Sequence, residues 1–267
     1  MNGPHLIVFD SGLGGLTVYR EVVRALPHAR YLYVSDDAFF PYGSRDEGAL
    51  IARVLELMGE VIANHRPDLV IIACNTASTL VLPQLRARFQ VPFIGTVPAI
   101  KPACAASVSK RVSVLGTQAT IAREYTHALI RDFANGTDVT LVGSGELAAL
   151  AEAELRGETV DDAAIARELG PCFVDAGGRR TDTVVLACTH YPLLLDRLTR
   201  LAPWPVQFID PAPAIARRAL ELVGMPSGRP EGAQFRERAQ ILFTSGRAPP
   251  PALSAALAGF GLGEVGP

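Results

Sequence analysis

"LVIIACNTAS", residues 69–78, runs an unbroken apolar stretch into Cys74, Asn75 and Thr76. The run is too short for a buried helix and has no polar alternation, so it reads as a strand covered on both faces. Strands of that kind belong to parallel sheets with helices on either side, where ligands bind at the strands' carboxyl ends. "TVVLACTHYP", residues 183–192, repeats the plan, with Cys188, Thr189 and His190 closing the run.

The rest of the chain alternates in the same way. Strands are expected at 6–10, 31–35, 68–74 and 91–95, then at 111–116, 138–143, 183–188, 206–210 and 240–246. Between them, apolar residues at three- and four-residue spacing predict helices over 15–26, 46–64, 78–89 (with Pro83 inside), 118–134, 192–202, 213–224 and 251–259, and helical segments across 146–177. A polar connection is expected at 225–238. The pattern restarts near residue 98, and each half carries an early strand-turn-helix and a later strand ending in Ala-Cys. The fold class expected is therefore α/β, with two doubly wound, mostly parallel-sheet domains related by pseudo-symmetry and the active site in the cleft between them.

Composition narrows the function. The chain has 267 residues, 49% of them hydrophobic, enough for a large core. A net charge of −2 without a basic block speaks against nucleic acid, and no run approaches the length of a membrane span. The start, "MNGPHLIVFD", lacks a basic region followed by a cleavable apolar one, so the expected address is the cytoplasm. Cys74, Cys104, Cys172 and Cys188 form no C-x-x-C pair and the five histidines are scattered, so no metal site is expected. Only Lys101 and Lys110 are available for a Schiff base, and neither sits in a recognisable site. No cofactor is expected.

Polar clusters follow the strands: "DSG" at Asp10–Gly12, "SDD" at 35–37, "CNTAS", "GTQAT" at 116–120 and "CTHYP". Helix capping explains serines and threonines there, but not the cysteines. Cys104 and Cys172 read as inert core residues. If the two halves face each other, cysteines in these matching strand-end positions place a thiol on each side of one cleft. Inverting a stereocentre beside a carboxylate needs a base on one face and an acid on the other, and a thiol can serve as either. Asp10 and His190 are then natural proton partners, while Ser11, Asn75, Thr76, Thr117 and Thr189 offer hydrogen bonds to carboxylates and an amino group. The competing readings fit less well. The second aspartate of an aspartyl phosphatase would fall on Gly12, and the third glycine of a dinucleotide fingerprint on Thr17. A Cys188–His190 acyl-transfer pair leaves Cys74 unexplained.

"FDSGLGG", "PYG" (41–43), "CNTAS", "LGTQAT" and "CTHYPLL" together resemble, in order and over nearly the whole chain, the signature stretches of the glutamate racemases. Related aspartate racemases typically carry an acidic residue where this chain has His190. The resemblance implies a cofactor-independent interconversion of L- and D-glutamate, supplying D-glutamate for peptidoglycan. It implies that Cys74 deprotonates D-glutamate and Cys188 L-glutamate, with Asp10 and His190 assisting. Asp10, Ser11, Tyr42, Gly43, Asn75, Thr76, Thr117, Thr120, Thr189 and His190 fall on substrate-contact positions, and Glu152, with Glu146 as the alternative, on an assisting glutamate. The domains implied are 1–97 plus 210–267, and 98–209. The partner implied is the small-molecule substrate, with a homodimer left open. An aspartate racemase or related isomerase is the alternative, and a non-catalytic amino-acid-binding relative a more distant one. "DDAFF" at 36–40 is bulkier than the resemblance leads one to expect and bears on the mouth of the cleft.

Overall fold

The apolar run that opens the chain forms strand β1 (His5–Asp10), and the chain then alternates through α1 (Leu16–Ala25), β2 (Arg30–Ser35), α2 (Glu47–His65), β3 (Leu69–Ile72), α3 (Asn75–Arg88) and β4 (Phe93–Gly95). After α4 (Ile100–Ala106) a second series runs β5 (Arg111–Thr117), α5 (Gln118–Ala122), α6 (Glu124–Phe133), β6 (Asp138–Ser144), α7 (Leu147–Leu155) and α8 (Asp162–Leu169). It continues with the pair β7 (Asp175–Ala176) and β8 (Arg179–Arg180), then β9 (Thr183–Ala187), α9 (Leu195–Leu201) and β10 (Gln207–Ile209). The chain closes with α10 (Ala212–Val223), β11 (Ala239–Phe243), α11 (Pro251–Gly259) and β12 (Gly263–Glu264). The structure is a computed structural model and describes residues 3–224 and 239–264.

Two parallel sheets result, ordered β12-β11-β2-β1-β3-β4 and β10-β9-β5-β6. In each, the first strand in sequence has its successor on one side and a later strand on the other. The helices leave in opposite directions there and open a crevice at the strand ends. In the first sheet that switch lies between β1 and β3, and in the second between β5 and β9.

Burial on both faces explains the continuous apolar strands. Leu6 and Val8 pack with Leu16 and Val22 of α1, Ile215 and Ala219 of α10, and Leu253 and Leu257 of α11. Ile7 and Phe9 point the other way, onto Val54, Leu57, Met58 and Val61 of α2 and Val81 and Leu85 of α3. Each of these four strand residues is fully buried and contributes about 1.5–3 kcal/mol. The second sheet is built likewise: Leu115, Val184 and Leu186 face α7 and α8, while Val112, Val114 and Val185 face α4. No helix among the described residues is long and apolar enough to cross a membrane.

Several expected boundaries shift. The helix expected from 78 begins at Asn75, because Cys74 is its N-cap, its sulfur accepting from the Ala77 N–H at 3.5 Å. Asn75 and Thr76 thus sit in a helix's first turn rather than in a connection ahead of it. The helix expected over 118–134 breaks at Arg123, which is extended (ψ 134°). The stretch 146–177 is not helical throughout. It holds α7, α8, a short 3-10 turn and the first strand of a hairpin whose turn, Gly177 and Gly178, has φ of 61° and 72°. Positive φ at both centres suits a two-residue hairpin, so "AGGR" was the readable signal. The short β12 had no counterpart among the expected strands, and the 225–238 connection lies outside the described residues.

Candidate active site

The two crevices face each other across one narrow, partly open cavity. From the first half come Ser11 after β1, Phe40, Pro41, Tyr42 and Gly43 after β2, and Cys74, Asn75 and Thr76 after β3. From the second come Thr117 at the end of β5, Ala148 of α7, and Cys188, Thr189 and His190 after β9. Both thiols therefore line the same cavity. Cys104 and Cys172 are free and buried in the second half's core, outside its wall. Asp10, Thr120 and Glu152 stand one layer behind the wall. Phe40, Pro41 and Ala148 line it without having been singled out from the sequence, although "DDAFF" had marked the segment that carries Phe40.

Behind Cys188 the polar groups form a chain. Its sulfur is 3.7 Å from Nδ1 of His190, whose Nε2 is 3.0 Å from Oε1 of Glu152. Glu152 also accepts from the Leu13 N–H of the facing half at 2.7 Å and from Arg156 at 2.9 Å. Burial pushes the Glu152 carboxyl up, but the bonds from His190, Arg156 and Leu13 outweigh it and hold the group below the ordinary range. Burial acts against a charged His190; hydrogen bonds to Cys188 and Glu152 overcome that and raise it well above its usual value. Both shifts run in the direction that favours a carboxylate beside an imidazolium. Glu146, the alternative, lies on the surface paired with Arg167. Replacing Glu152 with glutamine removes the anion that keeps the ring charged, so the His190 titration should move to lower pH. Imidazole NMR reads this directly; an unchanged titration would refute the electrostatic coupling.

The Cys74 side is different. Burial, with Asp10 nearby, pushes its thiol up to about 12. Burial also raises the Asp10 carboxyl, which accepts from the Gly12 N–H at 3.2 Å and from the Thr189 hydroxyl at 3.2 Å. No charged histidine backs this thiol.

Hydroxyls and one amide complete the wall. Thr76, Thr117 and Thr120 form a triangle of hydroxyl contacts at 2.9, 3.2 and 3.3 Å, joining the two halves. Both polar atoms of the buried Asn75 amide lack a partner among the described residues. A buried amide in that condition is a binding group for a polar ligand. Tyr42 presents no free hydroxyl, since it donates to Asp36 at 2.6 Å. Phe40 packs on the His190 ring, centroids 5.5 Å apart. Gly12 and Gly14, with negative φ, are needed for closeness alone. A Cβ on Gly12 would lie 2.1 Å from Glu152 Oε1, and one on Gly14 would lie 2.4 Å from His190 Nδ1 and 2.6 Å from its backbone nitrogen. Among the described residues no cluster of His, Cys, Asp and Glu is arranged to hold a metal ion.

A thiol on each wall of one small cavity, set in two parallel-sheet halves, is the equipment of a two-base isomerase. Comparison with known proteins agrees. The model of the Asp/Glu/hydantoin racemase family matches residues 8–219. A glutamate racemase of Brucella ovis is 52% identical over 258 residues, covering 96% of this chain and 92% of that protein. The Escherichia coli glutamate racemase, solved with L-glutamate and the activator UDP-MurNAc-Ala, superposes with a TM-score of 0.84 at 38% identity, covering 99% of this chain and 98% of that one. The Thermus thermophilus glutamate racemase, solved with β-chloro-D-alanine, gives 0.71 at 29% identity over 99% and 97%. The chain belongs to the Asp/Glu/hydantoin racemase family.

Proposed function

We propose that the protein interconverts L- and D-glutamate in the cytoplasm without metal or organic cofactor, its D-glutamate feeding peptidoglycan synthesis. The observation that carries this reading is that Cys74 and Cys188 line one cavity, each at the switch point of its own sheet. One thiolate removes the α-proton while the opposite thiol delivers a proton to the other face, and the roles exchange at each turnover. Cys188, with the His190 imidazolium and Glu152 behind it, is the base toward L-glutamate. Cys74, with Asp10, is the base toward D-glutamate. A thiol pushed up to about 12 is scarcely ionised near neutral pH on its own. The α-ammonium of a bound amino acid is a cation that favours the thiolate. Asn75, Ser11, the threonine hydroxyls and backbone N–H groups of the wall bind the carboxylates. The two bodies of the enzyme are 1–97 with 210–267, and 98–209. Support for the division comes from α10, which packs on the first sheet, and from β10, which pairs with β9 in the second.

Circular dichroism of L-glutamate and L-aspartate, with chelator present and no pyridoxal phosphate added, tests the reading. The expected result is loss of the glutamate signal to zero with aspartate almost untouched. Turnover of aspartate alone, or a requirement for pyridoxal phosphate, would overturn it. Glutamate binding without turnover would favour a binding protein.

A further inference from the structure

The wall formed by Phe40–Gly43 reaches the core through Tyr42, which packs on Phe9 and Phe39, and a buried anion fixes the polar end of that ring. Asp36, fully buried at the end of β2, accepts from the Tyr42 hydroxyl at 2.6 Å and from the Arg53 guanidinium at 2.7 and 3.2 Å. A further bond comes from far along the chain: the Thr244 hydroxyl, in the turn after β11, donates to Asp36 at 2.6 Å and accepts from the Ala38 N–H at 3.3 Å. Neighbouring Ser245 ties Asp37 through its N–H at 2.9 Å. Burial alone would raise the Asp36 carboxyl; the bonds from Arg53, Thr244 and Tyr42 instead hold it below the ordinary range, as a fixed anion. Its own N–H donates to the Asp10 carbonyl at 2.9 Å, so the hub is tied to the end of β1.

We propose that Asp36 is a positioning residue of the reaction, and that Thr244 completes its anchor: together they hold Tyr42, and through it the wall that receives the substrate. This rests on the racemase reading. Tyr42 then acts through its backbone and ring, not through its hydroxyl, and the segment after β11 controls substrate affinity without touching the cavity.

Thr244→Val keeps the shape and deletes the hydroxyl. A hydrogen bond to a buried charge is lost while the thiols and their partners stay in place. KM for both glutamate enantiomers should rise about tenfold with kcat changed by less than about threefold. Thr244→Ser should restore KM. Amide hydrogen exchange should quicken over residues 36–45 in the valine variant and stay unchanged in β1 and β3. An unaltered KM, a fall in kcat alone, faster exchange throughout the molecule, or failure of serine to rescue would overturn the proposal. If the wild-type protein does not racemise glutamate, the functional reading fails. The exchange comparison still decides the anchor, and unchanged exchange in the loop would sink it.

Discussion

Cys74→Ser and Cys188→Ser are each expected to abolish racemisation of glutamate, with losses of at least about a thousandfold, in the range of positioned acid–base groups. A serine hydroxyl ionises far above any working pH, so proton transfer on that face stops while the opposite thiol remains. A glutamate analogue with a leaving group on the β-carbon separates the two halves. Removal of its α-proton expels the leaving group with the bonding electrons, and the enamine formed hydrolyses to a 2-oxo acid, so no proton need return. Cys188→Ser should still process the D-analogue through Cys74, and Cys74→Ser the L-analogue through Cys188. The opposite pairing would exchange the roles and keep two bases. Near wild-type racemisation by either variant would remove that cysteine from the chemistry.

Gly14→Ala is expected to be nearly as damaging, although Gly14 touches no reacting atom. Its φ lies outside the left-handed region that favours glycine, so the cost expected is steric. The added methyl would sit 2.4 Å from His190 Nδ1 and 2.6 Å from the His190 backbone nitrogen. A side-chain tip can swing aside; a backbone nitrogen at the start of a turn after β9 cannot. The two halves must part by a substantial fraction of an ångström at the point where Leu13 donates to Glu152 and Thr17 to the Thr189 carbonyl. Overpacking of this kind costs about 1–3 kcal/mol of stability. Misplacing the thiols by about 1 Å should cost about a hundredfold or more in kcat/KM. Thermal unfolding alongside kinetics measures both. A Gly14→Ala enzyme with normal kcat/KM would show that the closed contact between the halves is not needed for turnover.

The fold was legible because its strands are buried on both faces. Runs such as "LIVF" and "LVII" have one local interpretation, and the helices between them carry clear periods. Even the return of the chain to the first sheet after residue 210 came only with the resemblance; no local feature of "QILFTSG" says that β11 pairs with β2 rather than with β10. The strand-end rule brought Cys74, Cys188, Ser11, Asn75, Thr76, Thr117, Thr189 and His190 to the cavity wall. The spacing of residues could not tell which groups stand behind that wall. Glu146 caps the start of α7 and Glu152 lies inside it, six positions on, and only the turn of that helix sends one to Arg167 and the other to His190. Thr244 was invisible for a different reason: it lies more than two hundred positions from Asp36 in the chain, and serine or threonine after a strand is too common to be a signal.

The two thiols have unlike surroundings, an imidazolium with its carboxylate behind Cys188 and the raised carboxyl of Asp10 beside Cys74. Mirror-image glutamates have equal free energies in water, so the reaction's equilibrium constant is unity, and the kcat/KM values of the two directions are bound to be equal. The lopsided arrangement therefore cannot favour one enantiomer as a substrate. It can only move kcat and KM together within each direction, setting which enantiomer the protein holds longer and which it turns over faster once full. Any variant that alters His190 or Asp10 without changing both directions' kcat/KM by the same factor would contradict thermodynamics rather than the mechanism, which makes that equality an internal control for every kinetic measurement on this chain.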